Sequence, residues 1–286
     1  MNILKAARPL NLLILVLTQI LCSYFLGFGN SLADIFDKPH ISIYVTTMLC
    51  SVFGYLFNDY MDGKADSINR PGSSYLVLPG HRNLALFIAI LSAIVAIILG
   101  FLMSYRLGVL ITLIVSLLFF YSTLLKRLPL LGNIIVALLG AFSIYILLAF
   151  DENLNRELIL IFSINAFGIH LIREIIKDAE DIEGDAFAGY KTFPIIAGIK
   201  VTRLLLIGVS FLYILVFTTC VRLMMMRYFS APLSYVFLTY NVICIGIPLF
   251  HLLSRIQLAA DKLDFEYMSK VALYIMVTGL LSLMFF

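Results

Sequence analysis

Six aspartates carry the chemistry legible in this sequence. Asp59, Asp62 and Asp66 stand at i, i+3 and i+7, and the same spacing recurs at Asp178, Asp181 and Asp185. On a helix, at about 100° per residue, each triplet falls within roughly 60° of arc. Three carboxylates on one face repel one another unless a cation lies between them. Ligands that are all oxygen suit Mg²⁺, which keeps several waters and shares its other positions with substrate phosphates. Asn58, just before the first triplet, offers an amide oxygen or an N–H to a bound phosphate. Pro71, closing Asn69-Arg70-Pro71, ends any helical continuation.

The second triplet sits in a denser run of charge. Glu174 extends its acidic face, while Arg173 and Lys177 lie on a neighbouring face, placed to pair with acids or to reach a phosphate. An intrahelical ladder of ion pairs accounts for Glu174, Glu180 and Glu183. Arg70, Arg82, Lys126, Arg127 and Lys191 fall on the same side of the chain's apolar segments. Two divalent cations and several such groups would neutralise a diphosphate and stabilise it as a leaving group. Each basic residue alone is also an ordinary membrane anchor. His170, on the face of Asp178, reads as a satisfied core histidine, with a cavity-lining role as the alternative. His40, His81 and His251 have no partner at ligand spacing.

The elements that must position these groups are membrane helices. Of 286 residues, 62% are hydrophobic and 13% charged, against about 25% charged in a soluble domain. The apolar stretches are continuous and long enough for helices rather than barrel strands. Nine spans are expected, near 9–29, 41–60, 83–103, 106–123, 132–150, 157–177, 201–221, 231–253 and 268–286. The run after Pro9 is read as a retained first span, not a cleaved leader. Most lysines and arginines fall on one set of alternating loops, which puts the N-terminus inside, the C-terminus outside and both aspartate triplets on the cytoplasmic side. The long connections at 61–82 and 178–200 carry the triplets, where binding is expected. Cys22, Cys50, Cys220 and Cys244 show no metal or redox spacing and read as small buried hydrophobes. The net charge of +3 and the lack of a long basic run give no sign of nucleic acid. No linker is visible, so residues 1–286 read as one domain, with only a weak hint of internal duplication.

Asn58-Asp59-x-x-Asp62-x-x-x-Asp66 resembles the first signature of the UbiA superfamily of intramembrane prenyltransferases. Lys177-Asp178-x-x-Asp181-x-x-x-Asp185 resembles its second. The resemblance covers the whole chain. It implies an all-α polytopic protein, with nine transmembrane helices around a central apolar cavity that has a polar cytoplasmic mouth, in the cell membrane. It also implies that Asp59, Asp62, Asp178 and Asp181 hold Mg²⁺, with Asp66 and Asp185 as further ligands or groups on the acceptor side. Asn58, Arg70, Lys126 and Lys191 would grip the diphosphate of a polyprenyl donor, and Lys177 is placed to do so. Arg8, in Arg8-Pro9-x-Asn11, matches a position that faces the site. Ionisation would give an allylic cation sheltered from water, and an acceptor would attack it.

Within that family, the run Arg173 to Asp185 followed by Gly189-x-Lys191-Thr192-x-Pro194-Ile195, together with Leu125-Lys126-Arg127-x-Pro129-Leu130-x-Gly132-Asn133, is similar to the branch that prenylates a prenylated glycerol phosphate and makes ether lipids. The alternative acceptor is an aromatic ring, as in quinone, homogentisate or chlorin prenylation. A cation-coupled transporter is the reading from another class, but transporters place coupling ions near the bilayer midplane, whereas these acids cluster at membrane ends. One stretch departs from the family pattern: after Pro71 the chain runs Gly72 to Arg82 without the expected second Arg-Pro, so an expected basic residue is lost or displaced to Arg82.

Overall fold

The computed structural model describes residues 6–28, 31–69 and 79–286, and among these the regular structure is helical. The helices are α1 (Pro9–Phe25), α2 (Leu32–Ile35), α3 (Lys38–Met61), α4 (Gly63–Asn69), α5 (Pro79–Met103), α6 (Tyr105–Thr123), α7 (Leu131–Tyr145), α8 (Arg156–Glu180), α9 (Ile182–Phe187), α10 (Phe193–Tyr228), α11 (Leu233–Asn241), α12 (Ile247–Leu258) and α13 (Lys262–Leu281). A π turn at Val242–Gly246 joins α11 to α12 in one span. Among the described residues, 8 helices are long and apolar enough to cross a membrane, and Pro9–Phe25 is a shorter ninth. The protein is an integral membrane protein, because a bilayer core offers no water to unpaired backbone and helices satisfy their own.

Local chemistry sets the helix starts. Asp37 accepts the His40 N–H at 2.9 Å, Ser104 that of Leu107 at 3.1 Å, and Asn155 that of Leu158 at 3.1 Å. Each satisfies one of the orphan donors of a first turn. Asp261 and Asp264 form a reciprocal capping box before α13. Gly198, with φ of 79°, interrupts α10 near its start, in a conformation that a side chain would strain. The long part of α10 therefore begins near the expected position and runs on to Tyr228, past the expected end at 221.

Packing follows the small residues. On α5, Ala85, Ala89, Ala93 and Ala96 form a buried stripe at helical spacing. The first three pack against Phe53, Leu56 and Phe57 of α3. Small side chains let two helix backbones approach closely where there is no hydrophobic drive between helices in lipid. On α8, Ile169, Ile172, Ile175 and Ile176 are buried against α10, α12 and α13, while Leu160 and Ile164 of the same helix point outward. Helix α8 packs against α7, α10 and α13 and so stands at the centre of the second half. Three cysteines are buried and Cys244 is half-buried, all as free thiols. The short helices α4 and α9, which follow the two aspartate-bearing spans, pack on one another.

Candidate active site

The spacing at i, i+3 and i+7 predicts one helix face per triplet, but neither triplet lies on one helix. α3 ends at Met61, and Asp62 closes it, donating its N–H to the Asn58 carbonyl at 2.9 Å. The chain restarts as α4, and the Asp66 N–H bonds the Asp62 carbonyl at 2.9 Å. The second motif repeats this. α8 ends at Glu180, the Asp181 N–H bonds the Lys177 carbonyl at 2.9 Å, and the Asp185 N–H bonds Asp181 at 3.1 Å. Asp62 and Asp181 share one near-bridge conformation, with φ, ψ of −88°, 4° and −99°, 10°. A polar residue at the break turns the chain out of its long helix. The hint of duplication in the spacing is a repeated helix–break–helix.

The motifs face each other across the mouth of a cavity of about 580 Å³. That lies within the range of small-ligand sites, roughly 300–1,000 Å³. Its deeper wall is largely apolar, with Leu15, Leu118, Phe142, Phe162, Ile169 and Leu280 among the lining residues. Asp62, Asp66, Glu174, Asp178, Asp181 and Asp185 line it, as do Arg8, Lys126, Arg173 and Lys177. Carboxylates thus outnumber cations among the described lining residues.

Asn58, Asp59 and Asp62 of the first motif each have a built-in partner. Lys126 Nζ pairs with Asp62 Oδ1 and donates to Asn58 Oδ1 at 3.0 Å. The Tyr190 hydroxyl donates to the same Asp62 oxygen at 2.7 Å, and Asn58 Nδ2 to Asp62 Oδ2 at 2.7 Å. The Lys126 side chain is only 8% exposed. Burial pushes its ammonium below the ordinary value, against the pull of Asp62. Burial and Asp62 together push the Tyr190 phenol up. Arg8 Nη2 donates to Asp59 Oδ1 at 2.8 Å, and the guanidinium lies over the Tyr55 ring. Asp59 is thus turned toward Arg8, and it is not among the groups lining the cavity.

The second motif is held differently. Asn133, buried at the start of α7, donates to Asp178 Oδ2 at 2.9 Å. Arg173 and Lys177 approach Glu174 at 3.4 and 4.0 Å. Asp185 is pushed up to about 8, first by burial and then by repulsion from Asp178, Asp181 and Asp62.

Not every residue singled out in the sequence reaches the site. Lys191 is exposed, and its backbone N–H bonds the Arg127 carbonyl at 3.0 Å. Arg82 lies exposed over the Tyr60 ring. Arg70, with the stretch from Gly72 to Leu78, lies outside the described residues. His170 lines the cavity one turn before Glu174, so its cavity-lining alternative matches its position. Sequence reasoning held Asn133 only as the end of the Leu125-to-Asn133 stretch, with no role, and missed Tyr190 and Tyr55. A polar side chain inside an apolar span was the available signal for Asn133.

The donor set fits a hard divalent cation. It is all oxygen, it carries surplus negative charge, and burial together with the neighbouring carboxylates pushes Asp185 up to about 8. Among the described residues no three His, Cys, Asp or Glu side chains converge on a single ligating point. Mg²⁺ does not need such a cage, because it binds through one or two carboxylates with waters and phosphate oxygens completing the shell.

A helical membrane protein with two opposed aspartate motifs over an apolar cavity is the frame of an intramembrane prenyltransferase. Residues 16–276 match the UbiA prenyltransferase family, and the chain belongs to that family. It is similar to the digeranylgeranylglyceryl phosphate synthase of Thermococcus sibiricus, 34% identical over 69% of this chain and 68% of the relative. It is also similar to the digeranylgeranylglyceryl phosphate synthase of Methanobrevibacter smithii, 30% identical over 82% and 78%. The structure of a UbiA homolog from Archaeoglobus fulgidus bound to GPP and Mg²⁺ shares the fold, with a TM-score of 0.68 and 15% identity over 99% of this chain and 100% of the other.

Proposed function

We propose that the protein transfers a geranylgeranyl group from its diphosphate to the free hydroxyl of a prenylated glycerol phosphate, forming an ether lipid, and that it uses Mg²⁺. The observation that carries this reading is the facing pair of aspartate motifs at the polar mouth of an apolar cavity, with Lys126 on the first of them. The names of the two relatives support the acceptor, and the Mg²⁺ and GPP of the Archaeoglobus fulgidus homolog support the metal and the donor class.

Asp62, Asp66, Asp178, Asp181 and Asp185 would hold the metal, with Asp59 joining if it turns from Arg8. A Mg²⁺ ion held by those carboxylates would supply positive charge that offsets the charge building on the leaving group. Lys126 and Asn58, already joined at Asp62, would donate to a diphosphate oxygen, and Arg8 and Lys177 would add positive charge at the same mouth. The allylic C–O bond breaks, and the apolar wall keeps water from the resulting cation. The acceptor oxygen then forms the new C–O bond and gives up its proton to the released diphosphate. The bias of basic residues supports a cytoplasmic mouth in the cell membrane, with the N-terminus inside.

Purified protein supplied with geranylgeranyl diphosphate, Mg²⁺ and geranylgeranylglyceryl phosphate tests this by mass spectrometry of the product. The diether phosphate is expected. Product from an aromatic acid alone would move the enzyme to the aromatic branch, and no diphosphate release with either acceptor would overturn the proposal.

A further inference from the structure

The two aspartate motifs must be held at a fixed separation to share a metal and a diphosphate, yet they come from chain segments more than a hundred residues apart. The Asn69 side chain reaches across this gap from backbone to backbone. Asn69, the last residue of α4, donates from Nδ2 to the Asp181 carbonyl at 3.0 Å and accepts the Gly184 N–H on Oδ1 at 2.8 Å. Both ends of one amide therefore grip the backbone of the second motif, at its break and one turn later. Asn69 is 8% exposed. Its own carbonyl accepts from Lys262 Nζ, at 2.7 Å, at the start of α13. The contact leaves no spare room. A Cβ on Gly184 would lie 2.4 Å from Asn69 Cγ and 2.5 Å from the Ala65 carbonyl. Gly184 is thus a flat place on α9 that lets α4 lie against it.

We propose that Asn69 is a positioning residue for the reaction: a clasp that sets the distance between the two aspartate motifs, with Gly184 as its seat. The inference rests on the functional reading above. Asn69 touches no reacting atom and acts through Asp181 and its neighbours. An amide is needed because the seat offers one acceptor and one donor. Alanine satisfies neither, aspartate satisfies only the Gly184 N–H, and leucine fills the space without bonding. Leaving a buried donor and acceptor without partners carries a desolvation penalty, which the two short helices relieve by moving apart.

Two readouts test the clasp, one of them independent of catalysis. Spin labels at Ser67→Cys and Ala186→Cys, both on exposed positions of α4 and α9, report the separation of the motifs in the full-length protein after its native thiols are replaced. A narrow distance distribution is expected for the otherwise native chain, and a broadened or lengthened one for Asn69→Ala and for Gly184→Ala. In steady-state assays both variants should lose about 10- to 100-fold in kcat, as a misplaced constellation does. Both should need more Mg²⁺ for half-maximal rate, with little change in KM for the acceptor. A merely structural loss would reduce the amount of active protein and leave the Mg²⁺ response untouched. An unchanged distance distribution in Asn69→Ala, or a native Mg²⁺ response in both variants, would overturn the clasp. If the unsubstituted enzyme proves inactive on every acceptor, the functional reading fails, and the distance measurement still decides whether Asn69 holds the helices together.

Discussion

The two aspartate motifs share one backbone design and differ in what surrounds their charge. In each, a long helix breaks at the middle aspartate and a short helix carries the last. In the first, Arg8 holds Asp59, while Lys126, Tyr190 and Asn58 converge on Asp62. In the second, Asp178 takes a neutral amide from Asn133, the cations Arg173 and Lys177 lean on Glu174, and Asp185 is pushed up to about 8 by burial and by its neighbours. Like charges crowded in a poorly solvated place demand either protons or a cation. On the proposed function, the first motif carries its positive charge in its own side chains and grips the diphosphate through Lys126. The second waits for its charge to arrive with the metal.

Removing a carboxylate from either side should break the clamp outright. Asp62→Ala and Asp181→Ala are each expected to lower turnover by at least about 10³-fold, with both proteins still eluting as folded species in detergent. Native turnover in both would remove the metal assignment. Lys126→Met separates the halves. It should weaken diphosphate release by about 10²-fold while Mg²⁺ binding survives or tightens, because Asp62 is freed; a metal response as poor as that of Asp181→Ala would erase the contrast.

Neutral supports should have smaller effects. Asn133→Ala leaves Asp178 without its orienting donor, and a loss of about 10- to 100-fold in Mg²⁺ affinity is expected, read by metal titration of activity. Tyr190→Phe deletes one hydrogen bond to Asp62, worth about 1 kcal/mol, so a change of about fivefold in kcat/KM is expected. The smallest effect has the opposite sign in two conditions. Asp185→Asn removes a repelled carboxylate, so its thermal midpoint in EDTA should rise by a few degrees, while the stabilisation by added Mg²⁺ should shrink. A fall in EDTA would show that the second motif is not crowded.

Much of this architecture could be read in advance, because its signals are local. Runs of apolar residues near the length of a bilayer marked the membrane segments, and aspartates at matched spacing pointed to the candidate site, five of the six lining one cavity. What escaped depends on tertiary contact. Nothing in the spacing shows that the chain breaks at Asp62 and Asp181, since an unbroken helix and a helix–break–helix both keep the aspartates close. Asp59 looked like a site group lining the cavity, but it faces Arg8 across 51 positions. Lys191 sits two residues beyond Gly189, whose positive φ helps turn the chain, and its side chain ends up outside. Asn69 was visible only as part of Asn69-Arg70-Pro71. Its two partners lie more than a hundred residues away.

The central claim is that the motifs act together through a metal on one diphosphate. Equilibrium binding of a geranylgeranyl thiolodiphosphate, which the enzyme ionises poorly, tests it most directly when titrated with Mg²⁺, with EDTA, and against Asp181→Ala. Tight binding that requires Mg²⁺, is released by EDTA and is lost in the variant is the predicted result. Equal affinity in EDTA, or an Asp181→Ala protein that binds as well as the native one, would contradict it.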